Sequence, residues 1–235
     1  MIGVLGGMGP AATVDFLAKF VACTPARRDQ DHVPVMALFA PQIPDRSSAI
    51  LGQGPSPLPH LQRELGRLVA AGVHAVAIPC NASHHWYEQM QADCPVPILH
   101  IATATVAALG VTSLPVMVLA TRGTLCSGFY QRQLAAAGHD WRMPDEAEQQ
   151  AVDQVIARVK AGAIAEAARV LAGLWQPWQG QMGAVILACT EIPLAAALLP
   201  APPFRLVDST QALARYSLDF CRAGGNADPA AATLR

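Results

Sequence analysis

Short apolar runs at 2–5, 33–39, 75–78, 116–119, 184–187 and 205–207 alternate along this chain with longer amphipathic stretches. The intervals hold helix candidates at 11–22, 58–71, 83–91, 101–109, 128–137, 146–159, 164–175 and 209–220. Strand and helix in regular turn is the pattern of an α/β fold with mainly parallel strands, because two parallel strands cannot be joined by a tight turn and a helix supplies the crossover. Of the 235 residues, 52% are hydrophobic and 14% charged, enough to bury one large core or two small ones and too apolar for a disordered or fibrous chain.

The segment Gly-Val-Thr-Ser-Leu-Pro at 110–115 reads as a seam between two halves, each a small open sheet wrapped by helices. The expected division is a first α/β domain over 1–110 and a second over 111–207, with a helix at 208–223 packing back on the first domain. The small and polar residues of 224–235 are expected to form a flexible tail.

A net charge of −1 gives no electrostatic footprint for nucleic acid or an anionic membrane, partners that call for clustered Lys and Arg. A small-molecule partner is the better expectation. Met1-Ile2-Gly3-Val4-Leu5 runs straight into a glycine-rich turn without a basic segment ahead of a long apolar one, so no secretory signal is expected. The apolar runs elsewhere are interrupted well short of the roughly 20 residues of a membrane span. A cytoplasmic location follows as the expectation. The cysteines, at 23, 80, 94, 126, 189 and 221, form no C-x-x-C pair, so neither a zinc site nor a disulfide framework is suggested.

Two of those cysteines sit in matching contexts. His74-Ala75-Val76-Ala77-Ile78-Pro79-Cys80-Asn81 in the first half parallels Gly183-Ala184-Val185-Ile186-Leu187-Ala188-Cys189-Thr190 in the second. In each, a strand runs out into a cysteine, then a small polar residue, then a helix candidate. Open α/β sheets bind ligands at the carboxyl ends of their strands, and free N–H groups at a helix start favour thiolate over thiol. A lone cysteine at a strand end is most often a small space-filling residue. A matched pair, each followed by hydrogen-bonding groups (Asn81 and Ser83, Thr190 and Glu191), points instead to a base and an acid facing each other across a cleft.

With those residues in view, the chain resembles the aspartate/glutamate racemase superfamily, specifically its aspartate racemase branch. The resemblance is carried by Gly6-Gly7-Met8-Gly9-Pro10-Ala11-Ala12-Thr13, by Pro79-Cys80-Asn81 with His84, and by Ala188-Cys189-Thr190-Glu191-Ile192-Pro193-Leu194. Ile43-Pro44-Asp45-Arg46, Ala120-Thr121-Arg122-Gly123-Thr124 and Val159-Lys160-Ala161-Gly162 add to it, in the same order along most of the chain.

The resemblance implies two pseudo-symmetric, Rossmann-like open parallel-sheet domains with the active site in the cleft between them, commonly as a homodimer. It implies interconversion of L- and D-aspartate, with glutamate or a broader range as the extension, and neither pyridoxal phosphate nor a metal. One of Cys80 and Cys189 would remove the α-proton as thiolate while the other delivers a proton to the opposite face. Arg46 and Lys160 would meet substrate carboxylates, for which a guanidinium is suited to a bidentate grip. Met8 in the glycine turn, Asn81, Ser83, Thr121 and Thr190 would supply donors to the substrate, and Glu191 would orient the adjacent thiol or favour its helix through the dipole. Lys19 is assigned to the surface, and the His84-His85 pair to surface or helix packing.

One position departs from the family, which usually reads Pro-Cys-Asn-Thr-Ala-His where this chain has Pro79-Cys80-Asn81-Ala82-Ser83-His84. The hydroxyl is displaced by one residue, which bears on substrate preference. A dinucleotide-dependent oxidoreductase competes through Gly7-Met8-Gly9-Pro10-Ala11-Ala12, but the second strand candidate is followed by Ala40-Pro41-Gln42 where an acidic ribose ligand is wanted. A maleate isomerase-like enzyme of the same superfamily and a non-catalytic amino-acid-binding protein remain as alternatives.

Overall fold

In a computed structural model the described residues are 1–224, so nearly all of the expected tail lies outside them. The first half runs β1 (Ile2–Gly6), α1 (Pro10–Cys23), β2 (Val35–Phe39), α2 (Arg46–Ile50), α3 (Leu58–Ala70), β3 (Ala75–Ala77), a 3₁₀ segment (Asn81–Trp86), α4 (Tyr87–Asp93), β4 (Ile98–Leu99) and α5 (Ile101–Leu109). The second half runs β5 (Val116–Leu119), α6 (Arg122–Ser127), α7 (Phe129–Ala136), β6 (Trp141–Arg142), α8 (Glu146–Lys160), α9 (Ile164–Trp175), β7 (Ala184–Leu187), α10 (Ile192–Ala196) and β8 (Arg205–Asp208), before α11 (Ser209–Arg222).

Each half builds one four-stranded sheet, in the orders β2-β1-β3-β4 and β6-β5-β7-β8, and every pairing is parallel. The two orders are the same topology written twice. β1 therefore corresponds to β5 and β3 to β7, and in each sheet the chain reverses its direction of winding between those two central strands, where open α/β sheets place their ligands. The fold expected from the sequence, two open parallel-sheet α/β units, is the fold observed.

Both faces of both sheets are covered. β1 and β3 meet α1, α5 and α11 through Phe16, Ile101, Leu213 and Leu218 on one face, and α3 and α4 through Leu61, Leu65 and Met90 on the other. β5 and β7 meet α5 and α7 through Leu109, Tyr130 and Leu134, and α8, α9 and α10 through Val155, Leu171 and Ile192. α5 contributes to a core in each half, which explains why its sequence is apolar around most of its circumference. α11 packs mainly on α1 and α5, carrying the end of the chain back onto the first sheet. Among the described residues no helix is long and apolar enough to cross a membrane.

The sequence expectations differ from this structure in a few places, each with a cause. β4 and β6 are two-residue edge strands, too short to register as apolar runs. α2, α6 and α10 have five or six residues, less than two turns, and leave no helical period to read. The helix expected at 83–91 is split into the 3₁₀ segment and α4, with Trp86 at the join. Lys19, assigned to the surface, has a side chain only 19% exposed and pairs with Asp15 and Asp208. Asp208 in turn accepts from the backbone N–H groups of Thr210 and Gln211 at the start of α11, so Lys19 ties α1 to that cap.

Candidate active site

The glycine turn after β1 is built for close approach. Gly7 has φ of +90°, and its N–H donates to Thr13 Oγ1 at 2.8 Å, while the Thr13 hydroxyl donates to the Gly9 carbonyl at 2.9 Å. A Cβ on Gly6 would fall 2.2 Å from Thr13 Cγ2, so the first strand can run into α1 along this path only with glycine there. The turn carries Met8 over the carboxyl ends of the strands. Its counterpart after β5 is Thr121, whose side chain caps α6 by accepting from the Thr124 N–H at 3.2 Å.

Cys80 follows β3 and Cys189 follows β7, and both line one cavity of about 40 Å³ together with Met8, Arg46, Asn81, Thr121, Lys160, Thr190 and Glu191. Of the residues singled out from the sequence, only Ser83 lies outside the lining. It is fully buried, and its hydroxyl reaches Met8 Sδ at 3.5 Å. In the helical turn after Cys80 the displaced hydroxyl faces the wall behind Met8 rather than the cavity, while Ala82, at the position where the family carries threonine, is part of the lining. Asp45, Ser47 and Thr124 line the cavity without having been singled out. Asp45 was open to recognition, as an Asp ahead of Arg-Ser-Ser reads as a helix cap and accepts from the Ser48 N–H at 2.8 Å.

Ser47 had no such signal, because its role depends on the other half of the chain. The Gly123 N–H donates to Ser47 Oγ at 3.0 Å, joining α6 to α2 beside the cavity. A Cβ on Gly123 would lie 2.7 Å from Ser47 Cα, so the approach of the two helices requires glycine at this position. His85 adds a second link between the halves, its Nδ1 lying 2.9 Å from Ser127 Oγ. α2 and α6 thus meet beside a space for about three waters, smaller than an amino acid.

The surroundings of the two sulfurs differ. The Arg46 guanidinium is oriented by three backbone carbonyls, those of Ile43 at 3.2 Å and Pro44 at 3.1 Å on Nη1 and that of Met8 at 3.3 Å on Nη2. Its Nε is buried with no partner among the described residues, a donor left over beside the cavity. Burial alone would lower the Arg46 pKa, but the neighbouring Cys80 sulfur, Asp45 and Glu191 outweigh it and hold the guanidinium above its ordinary value. Cys189, in contrast, donates to Glu191 Oε2 at 3.0 Å, which also accepts from Thr190 Oγ1 at 3.2 Å. Burial, then the Glu191 charge, push the Cys189 thiol well up. Lys160, at the end of α8, is the second cation of the lining and is exposed.

Behind Cys80, the expectation that His84 is a packing residue fits its place. It is buried, and its Nε2 accepts from the Ile101 N–H at 3.3 Å, which leaves the ring proton on Nδ1 to be donated to the Cys80 carbonyl at 3.0 Å. Burial lowers its pKa from 6.5 to about 4, so it stays neutral at physiological pH and acts on the backbone of Cys80.

The chain as a whole resembles known proteins. The chain is 30% identical over 208 residues to the broad specificity amino-acid racemase RacX of Bacillus subtilis (strain 168), covering 82% of this chain and 86% of that one. It superposes on the aspartate racemase of Picrophilus torridus with a TM-score of 0.84 at 28% identity, over 95% of this chain and 94% of that one. An aspartate racemase homologue from Pyrococcus horikoshii OT3 shares the fold, with a TM-score of 0.73 at 20% identity over 94% of this chain and 98% of the other. The Asp/Glu/hydantoin racemase family model matches residues 5–217, a span that takes in both cysteines and the cavity they line, and the chain belongs to that family.

Proposed function

We propose that this chain, an amino-acid racemase of the Asp/Glu racemase family, interconverts L- and D-aspartate without a cofactor, using Cys80 and Cys189 as the two acid/base groups. The observation that carries this reading is that topologically equivalent strands, β3 and β7, deliver the two sulfurs to one cavity from opposite halves of the molecule. Two such groups on either side of a bound α-carbon are what inversion by proton exchange needs.

Cys80, beside the Arg46 charge, removes the α-proton: the C–H electron pair passes to the α-carbon and its carboxylate, and the proton to sulfur. Cys189, held as a thiol against Glu191, delivers its proton to the opposite face and is left as thiolate. The reverse direction exchanges these roles. Arg46 and Lys160 supply the positive charge that two substrate carboxylates call for, and preorganised donors aimed at the carboxylate that gains enolate character lower the barrier. The aspartate preference is supported by this charge complement and by the likeness to the Picrophilus enzyme. The likeness to RacX makes breadth an explicit arm of the test.

The test is proton NMR of L-aspartate, L-glutamate and a neutral amino acid in D₂O, followed by chiral chromatography. Loss of the α-proton signal with growth of the D enantiomer is the expected result, fastest with aspartate. Cys80→Ala and Cys189→Ala should each lower kcat by more than about 10³-fold, as expected when a direct proton-transfer group is lost. A variant that still racemised at near wild-type rate would remove that cysteine from the mechanism. Exchange without inversion would point to a one-base reaction, and binding without exchange to a binding protein.

A further inference from the structure

Asn81 follows Cys80 and lines the cavity, and its amide is fixed from behind by residues of α7 and α11. The Tyr130 hydroxyl donates to Asn81 Oδ1 at 2.6 Å, and Asn81 Nδ2 donates to Ser209 Oγ at 3.0 Å. The polarity of this network follows from its ends. Ser209 spends its only hydroxyl proton on the Leu187 carbonyl at 2.8 Å, so its oxygen can only accept from Asn81. Thr105 likewise spends its proton on the Ile101 carbonyl at 2.7 Å, so it has none to give Tyr130, 3.3 Å away. Because Ser209 can only face Nδ2, Oδ1 faces Tyr130, and the 2.6 Å contact between those two oxygens needs the phenol proton. Tyr130, Thr105 and Ser209 have no exposed surface, so water does not compete for these bonds. Burial, ahead of every other influence, also raises the Tyr130 pKa and keeps the phenol a donor.

With both ends of the network polarised, the Asn81 amide has one allowed orientation: oxygen toward Tyr130, nitrogen toward Ser209. Nδ2 carries two protons and Ser209 takes one. We infer that Tyr130 and Ser209 are positioning residues that lock the Asn81 amide so that its second N–H is presented to the substrate carboxylate. This rests on the racemase reading above. The network also reaches Leu187, the last residue of the strand that leads to Cys189, so the same hydrogen bonds relate the donor on the Cys80 side to the strand carrying the other sulfur.

The test is a double-mutant cycle on the full chain, with Tyr130→Phe, Asn81→Ala and the combination, read as kcat and KM for L-aspartate. Tyr130→Phe keeps the ring and removes only the donor, and should cut kcat/KM about 10-fold or more, since a misdirected donor loses part of what an oxyanion-type contact contributes. In the Asn81→Ala background the same change should cost less than about 2-fold, because its effect passes through the amide. Ser209→Ala should follow the same pattern and serves if Tyr130→Phe folds poorly. Equal losses in both backgrounds, or no loss in the wild-type background, would overturn the inference.

A readout independent of turnover separates this from the racemase reading. In the ¹⁵N-labelled protein the Asn81 side-chain NH₂ pair, assigned by its disappearance in Asn81→Ala, should shift or broaden in Tyr130→Phe. An unchanged pair would sink the lock even if catalysis fell. An inert wild-type protein with a shifted pair would instead retain the lock and remove the racemase reading.

Discussion

Cys80 and Cys189 occupy equivalent strand ends, yet a cation stands beside one and a carboxylate beside the other. The duplication supplied the sulfurs, and residues outside the duplicated strands made them unequal. Arg46 comes from α2, far from Cys80 in sequence, whereas Glu191 is two residues from the sulfur it binds. Glu191→Gln should therefore act on Cys189: an amide removes the adjacent negative charge, and the thiol should ionise at lower pH than in the parent. Iodoacetamide labelling followed across pH, with Cys189 read in its own peptide in a Cys80→Ala background, checks this. An unmoved profile would mean that burial alone sets the Cys189 acidity. Glu191, whose Oε2 takes both hydrogen bonds, stands two residues from the thiol in Cys189-Thr190-Glu191, so this part of the site was legible. The role of Ser83 was not, because in a 3₁₀ segment a shift of one residue turns a side chain by roughly 120° and exchanges cavity for wall.

The two helices that meet beside the cavity leave almost no trace in the sequence. α2 and α6 have five and six residues and meet through Ser47 and Gly123, with a Cβ excluded at 2.7 Å from Ser47 Cα. Gly123→Ala should force α2 and α6 apart, because the atom it meets is backbone and cannot rotate away. We expect a rise in KM for aspartate of about 10-fold and a loss of about 1–3 kcal/mol in unfolding free energy, the usual range for overpacking. Steady-state kinetics and urea denaturation measure the two, and unchanged values for both would show that the α2–α6 contact is dispensable. The long helices behave differently. α5 and α9 fall at the bounds expected for them, since a helix of several turns that covers a sheet must carry its apolar stripe for its whole length.

For the whole molecule, stability and pH are linked through two neighbouring histidines, His84 buried and His100 partly buried. Burial lowers the His84 pKa from 6.5 to about 4 and that of His100 to about 2, in the latter case assisted by His84 and Arg132. Because the folded values lie below the unfolded one, the unfolded chain binds more protons in this range. The stabilisation is fully present above pH 6.5 and is lost as pH falls toward the folded-state values. Each histidine can steepen the loss by up to about 1.4 kcal/mol per pH unit. His100→Asn keeps an acceptor at the N-cap of α5, where His100 Nδ1 now takes the Ala102 N–H at 3.1 Å, but removes the titration. Urea unfolding between pH 7.5 and 5 should show a shallower pH dependence for this variant, and a parallel dependence would mean that His100 does not titrate below its unfolded-state value.

The α/β class, the two sheets, the long helices, the pair of cysteines and most of the lining could be read along the chain, because they depend on local periodicity and on residues adjacent to strand ends. That Arg46 stands beside Cys80, that Ser47 meets Gly123, and that Tyr130 and Ser209 hold Asn81 depends on the folded chain. Asn81 and Ser209 are separated by 128 positions, and a hydrogen bond across that distance leaves no pattern in either neighbourhood. The packing of α11 on α1 and α5 brings the two ends of that bond together.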